Sequence, residues 1–242
     1  MRGKKILVHK YSQWYPYINV HESYNDLSQA VELPRKICDY LIDAPKGEYI
    51  PPDDNTYARC RFWKYLMYDS AKPLSQPLPT IKQKLSVVFN PDKKDSATTA
   101  KGYRLYPQIW TKQSQTAAQT RVYVYEGRQV PNDSYKTATA IHFLIWTHYT
   151  SEANTKADAY SRTGAIAQAL IEAFNGINMT GIGTFMFDKR CHPDCGSRPL
   201  YDGDINVGRE LIIGLELATT TNKTPNDSTN KLSLGDSNIK FW

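Results

Sequence analysis

The residue types best suited to chemistry are gathered in KRCHPDCGSR, positions 189–198. Cys191 and Cys195 stand four apart with His192 and Asp194 between them, and these are the donor types that a zinc ion uses. A structural zinc takes four ligands, commonly from two knuckles of C-x2-4-C or H-x3-5-H spacing, and this stretch supplies one knuckle. His192 adjoins Cys191, so both side chains binding one ion would strain the loop. The remaining cysteines, Cys38 and Cys60, lie 22 residues apart on apolar helix faces, where a thiol serves as a small hydrophobe. The segment therefore reads as an unliganded loop, with bound zinc and a Cys191–Cys195 disulfide as the alternatives. No cofactor is expected.

Other signatures of catalysis are missing from the chain. There is no GxxxxGK[ST], no strand-linked GxGxxG and no GxSxG, so the phosphate cradle and the nucleophile elbow are both absent. The five histidines (9, 21, 142, 148 and 192) do not form HExxH. His142 and His148 fall on one strand, an even number of residues apart, and share a face. Asp202 and Asp204 flank a glycine in YDGDINVG, which suits a turn between strands better than a catalytic carboxylate pair. A non-enzymatic protein is expected.

Length and charge bound the class. The chain has 242 residues, enough to bury a core without staples, and four cysteines are too few for a disulfide scaffold, so a reducing compartment fits best. MRGKKILVHKYSQWYPY opens with basic residues, but only Ile6, Leu7 and Val8 follow as an apolar run, well short of a signal segment. A soluble, non-exported protein, or one released by cell lysis, with no membrane contact is expected. Of the net charge of +6, residues 82–136 hold ten Lys/Arg against four acids. Solvated lysines on strand edges and loops account for such a stretch. The alternative is nucleic-acid binding through this basic segment, with Tyr103, Tyr106, Trp110, Tyr123 and Tyr125 as stacking platforms; a zinc-dependent enzyme built on Cys191, His192 and the aspartates is a weaker one.

The elements that would position these residues are legible from periodicity. Residues 1–56 read as an aromatic arm, carrying Tyr11, Trp14, Tyr15, Tyr17 and Tyr24, followed from Asp26 by a helix whose Ile37, Cys38, Leu41 and Ile42 share one face. Residues 57–218 read as an α+β core domain. TYARCRFWKYLMYD is its leading helix, with Cys60, Trp63 and Met67 on one face. IKQKLSVVF, YRLYPQIW, RVYVYEG and ATAIHFLIWTHY read as strands. In the last of these, Ile141, Phe143 and Ile145 alternate with Leu144 and Trp146, so the strand is apolar on both faces and belongs at a sheet centre. EANTKADAYSRTGAIAQALIEAFNG predicts one continuous helix, striped by Ala157, Tyr160, Gly164, Ala167, Ile171 and Phe174 and closed by Asn175-Gly176. TGIGTFMFD and GRELIIGLELAT close the domain as strands, the latter burying Leu211, Ile213, Leu215 and Leu217, with KRCHPDCGSR as the loop between them. Residues 219–242 read as a polar tail tipped by Phe241 and Trp242. The fold class is thus α+β: a mostly antiparallel or mixed sheet packed by two or three helices, with an extended N-terminal arm and a C-terminal tail.

This order of elements resembles the tail terminator and neck proteins of long-tailed bacteriophages. It is carried by RCRFWKYLMYDSAKPL, RLYPQIW, RVYVYEG, the strand-to-helix run IHFLIWTHYTSEANTKADAYSRTGAIAQALIEAFNG and LYDGDINVGRELIIGLEL. The long helical front and the polar tail depart from the usual pattern. The resemblance implies a virion protein, assembled in the host cytoplasm, that forms a ring, commonly a hexamer, at the head-proximal end of the tail. Its partners would be copies of itself, tail tube and neck or connector proteins, and the genomic DNA passing through the channel. The contact residues expected on this reading are Trp14, Tyr15 and Tyr17 of the arm, Lys93 and Lys94 in the loop NPDKKDSATTAKG, and Phe241 and Trp242.

Overall fold

The strand expected from ATAIHFLIWTHY lies at the centre of the sheet in the computed structural model, which describes residues 32–42, 55–90, 102–108, 119–131, 136–154, 159, 161–179, 182–202 and 206–218. The described elements, in chain order, are α1 (Leu33–Ile42), α2 (Ala58–Met67), a 3-10 turn (Pro73–Ser75), α3 (Ile81–Ser86), β1 (Leu105–Tyr106), β2 (Arg121–Pro131), β3 (Lys136–His148), α4 (Tyr149–Asn154), α5 (Arg162–Phe174), β4 (Asn178–Met179), β5 (Gly183–Met186), β6 (Gly196–Asp202) and β7 (Asn206–Ala218). The fold is α+β. A seven-stranded mixed sheet runs β1-β2-β3-β7-β5-β4, with β6 also paired to β7. Only β1 and β2 pair in parallel; the other named strands pair antiparallel. β3 and β7 pair along their whole length, from Lys136 opposite Ala218 to His148 opposite Asn206.

Alternation along β3 divides the core in two. Ile141, Phe143 and Ile145, with Val122, Val124, Leu211, Ile213 and Leu215, meet the apolar faces of α1, α2 and α5. Fully burying an aliphatic or aromatic side chain of this kind is worth about 1.5–3 kcal/mol, so this helix-covered face carries most of the hydrophobic stabilisation. Leu144 and Trp146 point the other way and join Tyr106 and Tyr123 in a second, smaller cluster. There the Tyr106 ring stacks on Tyr123 at 4.6 Å and on Phe89 at 5.4 Å.

The helices are joined to one another by side chains that satisfy helix-end carbonyls. Trp63 donates its indole N–H to Leu41 O at 2.6 Å, and Tyr40 donates its hydroxyl to Ala173 O at 3.1 Å, tying α1 to α2 and to α5. The largest such connection is Arg162, the first residue of α5, whose side chain is fully buried. Its guanidinium donates to Tyr65 O (2.8 Å), Tyr68 O (2.6 Å), Ser70 O (3.0 Å) and Ser151 O (3.1 Å). Carbonyls of a last helical turn have no partner within their own helix and carry the negative end of its dipole, so a cation there is doubly favoured. Asp69 lies 3.9 Å away and is held in turn by Arg104 at 2.6 Å.

Three local expectations are corrected. IKQKLSVVF does not begin as a strand: Ile81–Ser86 is helical, because Thr80 and Gln83 form a reciprocal capping box. Only its end reaches the sheet, where Val88 bridges Leu105. The helix expected to run unbroken through 152–176 is two helices. Ser161 is extended, its hydroxyl accepts Gly164 N–H at 2.9 Å, and the Glu152 carboxylate accepts Thr163 N–H at 3.0 Å, so α5 starts afresh at Arg162. Its buried stripe is also rotated, centred on Ile166, Ala169, Leu170 and Ala173, while Gly164 and Ile171 are half-buried. Ala157 and Tyr160 lie outside the described residues. The Asn175-Gly176 end is as expected, with Gly176 at φ +81°, a conformation glycine adopts without strain. Lastly, the GSR end of the cysteine segment is not loop but the start of β6, which Pro199 and exposed polar residues had disguised.

Replacing Arg162 by methionine should leave four carbonyls short of a donor in a buried site. A loss of about 3–5 kcal/mol is expected, read as a lower denaturant midpoint, with Arg162→Lys recovering only part of it. A loss under about 1 kcal/mol would show that the carbonyls find water instead.

Candidate functional site

The face of the sheet turned away from the helices holds the side chains with chemical potential, and it is shaped by three glycines. A Cβ on Gly127 would stand 2.2 Å from His142 Nε2, one on Gly208 would stand 2.5 Å from the Trp146 ring, and one on Gly214 would stand 2.8 Å from Cys191 Sγ and 3.2 Å from Cys195 Sγ. Each glycine is the floor on which a large or reactive side chain lies.

The cysteine segment arises from an interruption in one strand. β5 pairs with β7 until Met186 stands opposite Gly214, and β6 resumes with Gly196 opposite Ile212. Residues 187–195 therefore leave the sheet where Ile213 alone separates the two registers, and they fold back over Gly214. Asp188 O accepts the N–H groups of Cys191 (3.0 Å) and His192 (3.2 Å), and His192 O accepts that of Cys195 (3.1 Å). Phe187 N–H donates to Asn175 Oδ1 at 2.9 Å, fastening the exit to the end of α5. Arg190 hydrogen-bonds the Asp188 carboxyl and holds it below its ordinary value.

Both cysteines are buried free thiols. Burial, aided by the neighbouring Cys195, pushes the Cys191 thiol up to about 11. Burial raises Cys195 as well, against the opposing pull of backbone hydrogen bonds with Asp188, Gly214 and His192. At neutral pH the pair is protonated. His192 is fully buried; its Nδ1 accepts Asp194 N–H at 3.2 Å, and its Nε2 has no hydrogen-bond partner. Among the described residues, no group of three or more His, Cys, Asp and Glu side chains is disposed to hold a metal ion.

A second polar group lies on the same face. Glu210, 6% exposed in an otherwise apolar stretch of β7, accepts from His142 Nδ1 at 2.9 Å and from Arg198 Nε at 2.7 Å and Nη2 at 2.6 Å. Tyr125 stacks on the His142 ring at 4.9 Å. Burial alone would raise the Glu210 carboxyl, but the hydrogen bonds from His142 and Arg198 outweigh it and hold the group below its ordinary value. One carboxylate thus joins side chains from β3, β6 and β7, with β2 stacked against them. With both oxygens engaged, it acts as a clamp and not as a free acid or base.

His142 and His148 share a face as expected but are not brought together: His142 meets Glu210, while His148 Nδ1 pairs with Thr150 Oγ1 at 2.7 Å. Of the proposed stacking platforms, Tyr106 and Tyr123 are buried in their own stack, Tyr103 and Tyr125 are half-buried, and Trp110 lies outside the described residues. The expected contact residues Trp14, Tyr15, Tyr17, Lys93, Lys94, Phe241 and Trp242 all lie outside the described residues. Glu210, Arg198 and Arg162 were not singled out by sequence reasoning. Glu210 had left a signal, an acid set directly before the apolar run LIIGL, on the face opposite Leu211.

Among the described residues no helix is long and apolar enough to cross a membrane. A family model, YomW, matches residues 61–201, from within α2 to the penultimate residue of β6 and including the cysteine excursion. No curated protein and no solved structure matches the chain.

Replacing Glu210 by glutamine should cost about 2 kcal/mol at neutral pH. Because the folded carboxyl is held low, its contribution is complete above the unfolded value, about 4.3, and is lost as pH falls through the folded value. The stability gap between wild type and Glu210→Gln should therefore narrow below about pH 4 in denaturant titrations. A gap unchanged down to pH 2 would exclude the charged clamp.

Proposed function

Starting from a chain that belongs to the YomW family, a phage-associated family, we propose that it is a structural virion protein of a tailed phage. In this reading it forms a ring at the head–tail junction, as a tail terminator or neck component, ending tail growth and joining tail to head. Family membership supports the phage assignment. The order of elements, a leading helix, a strand-to-helix run and closing strands, supports the place in the particle.

The observation that carries the assembly role is the open edging of the sheet. Among the described residues, β6 pairs on one side only, and β2 beyond Tyr123 has no strand on its outer edge. Edge strands offer unpaired backbone groups to neighbouring subunits, and repetition of one such contact around a closed axis gives a ring. Both edges also carry brakes on indiscriminate pairing: Pro199 in β6 and a register irregularity between Glu126 and Gln129 in β2. The partners on this reading are identical copies, commonly six, together with tail tube and connector proteins. The net charge of +6 suits a channel that passes DNA.

Immunogold labelling of particles carrying the tagged chain should place gold at the neck, and negative-stain images of the purified protein with tail tubes should show rings capping tube ends. Label absent from virions, or found only in the cell lysate, would overturn the virion assignment; label along the tail shaft would overturn the junction.

A further inference from the structure

We propose that Cys191 and Cys195 are a reversible redox pair that closes into a disulfide on exposure to a peroxide, cross-linking the 191–195 segment above Gly214. This reading is independent of the assembly role. Both sulfurs approach the single point where a Cβ of residue 214 would stand, Cys191 Sγ at 2.8 Å and Cys195 Sγ at 3.2 Å, so they lie no further apart than the sum of those distances. The glycine leaves this space open for them. Two successive turns, closed by Cys191 N–H on Asp188 O and by Cys195 N–H on His192 O, bring both side chains over Gly214.

The two thiols are not equivalent. Burial disfavours both thiolates, but at Cys195 backbone hydrogen bonds with Asp188, Gly214 and His192 oppose it, whereas at Cys191 the neighbouring sulfur adds to it. Cys195 is therefore the attacking sulfur. Its thiolate attacks one oxygen of the peroxide; the O–O bond breaks, the departing hydroxide takes up the proton that Cys195 has released, and water leaves behind a sulfenic acid. Cys191 then attacks the Cys195 sulfur; the S–S bond forms, the S–OH bond breaks, and hydroxide leaves as a second water with the Cys191 proton. Two electrons pass from the thiol pair to the peroxide. A small oxidant fits the site, since both cysteines are only 5% exposed.

The test treats the full folded chain with hydrogen peroxide, blocks remaining thiols and weighs the tryptic peptide that begins at Cys191. The expected product is that peptide lighter by two hydrogen atoms, returned to its original mass by dithiothreitol. In Cys191→Ser the sulfenic acid has no partner, so dimedone labelling at Cys195 should rise several-fold over wild type. A wild-type peptide that gains oxygen, that carries a blocking group on both cysteines, or whose cysteines crosslink to Cys38 or Cys60 overturns the proposal. Should the serine variant fail to fold, the wild-type peptide mass decides alone.

Discussion

A buried guanidinium ties the helices of this fold to one another. Arg162 opens α5 and gathers carbonyls from the end of α2, from the segment after it and from α4. Burying a guanidinium is costly unless its donors are satisfied, and burial pulls this one below its ordinary value while Asp69 and Glu152 oppose the shift. Four carbonyl partners and a nearby carboxylate meet that requirement at one point. They also set the distance between the helix that precedes the sheet and the helix that follows its central hairpin. Everything that packs on the helix-facing side of β3 inherits this spacing.

The opposite face follows a different rule. There the sheet is covered by flat side chains laid across glycines: His142 over Gly127, Trp146 over Gly208, the cysteine turn over Gly214. Glu210 joins the strands by charge-assisted hydrogen bonds, which are stronger than neutral ones. One face thus has helices and dispersion, the other has aromatic stacking, a carboxylate clamp and a looped-out strand segment. This division supplies a rigid sheet, and among the described residues β2 and β6 keep open edges, as the proposed assembly role requires.

Much of this was legible in the residues. Alternation in ATAIHFLIWTHY placed β3 at the centre with the correct side chains on each face, and the apolar faces of α1 and α2 followed from their spacing. Legibility failed where a local pattern was ambiguous. IKQKLS has strand-like β-branched neighbours, yet the T-x-x-Q capping box at Thr80 and Gln83 was present in the sequence and outweighed them. The 152–176 stripe looked continuous because residues on either side of Ser161 keep helical spacing by coincidence; Ser161 and Glu152 satisfy the first N–H groups of α5 and end the pattern there.

What the sequence determined by itself is the class of the protein and the identity of its main strands and helices, because hydrophobic periodicity is a local property that each segment carries wherever it packs. The pairing of distant residues was decided only by tertiary structure. Arg162 reads as an ordinary helix-surface arginine until α2 places its carbonyls around it. Glu210 reads as an exposed acid until β3 and β6 bring His142 and Arg198 to it. Gly214 reads as a weak spot in a strand until the cysteine turn folds over it, since the space that a missing Cβ leaves has meaning only when another part of the chain arrives to fill it.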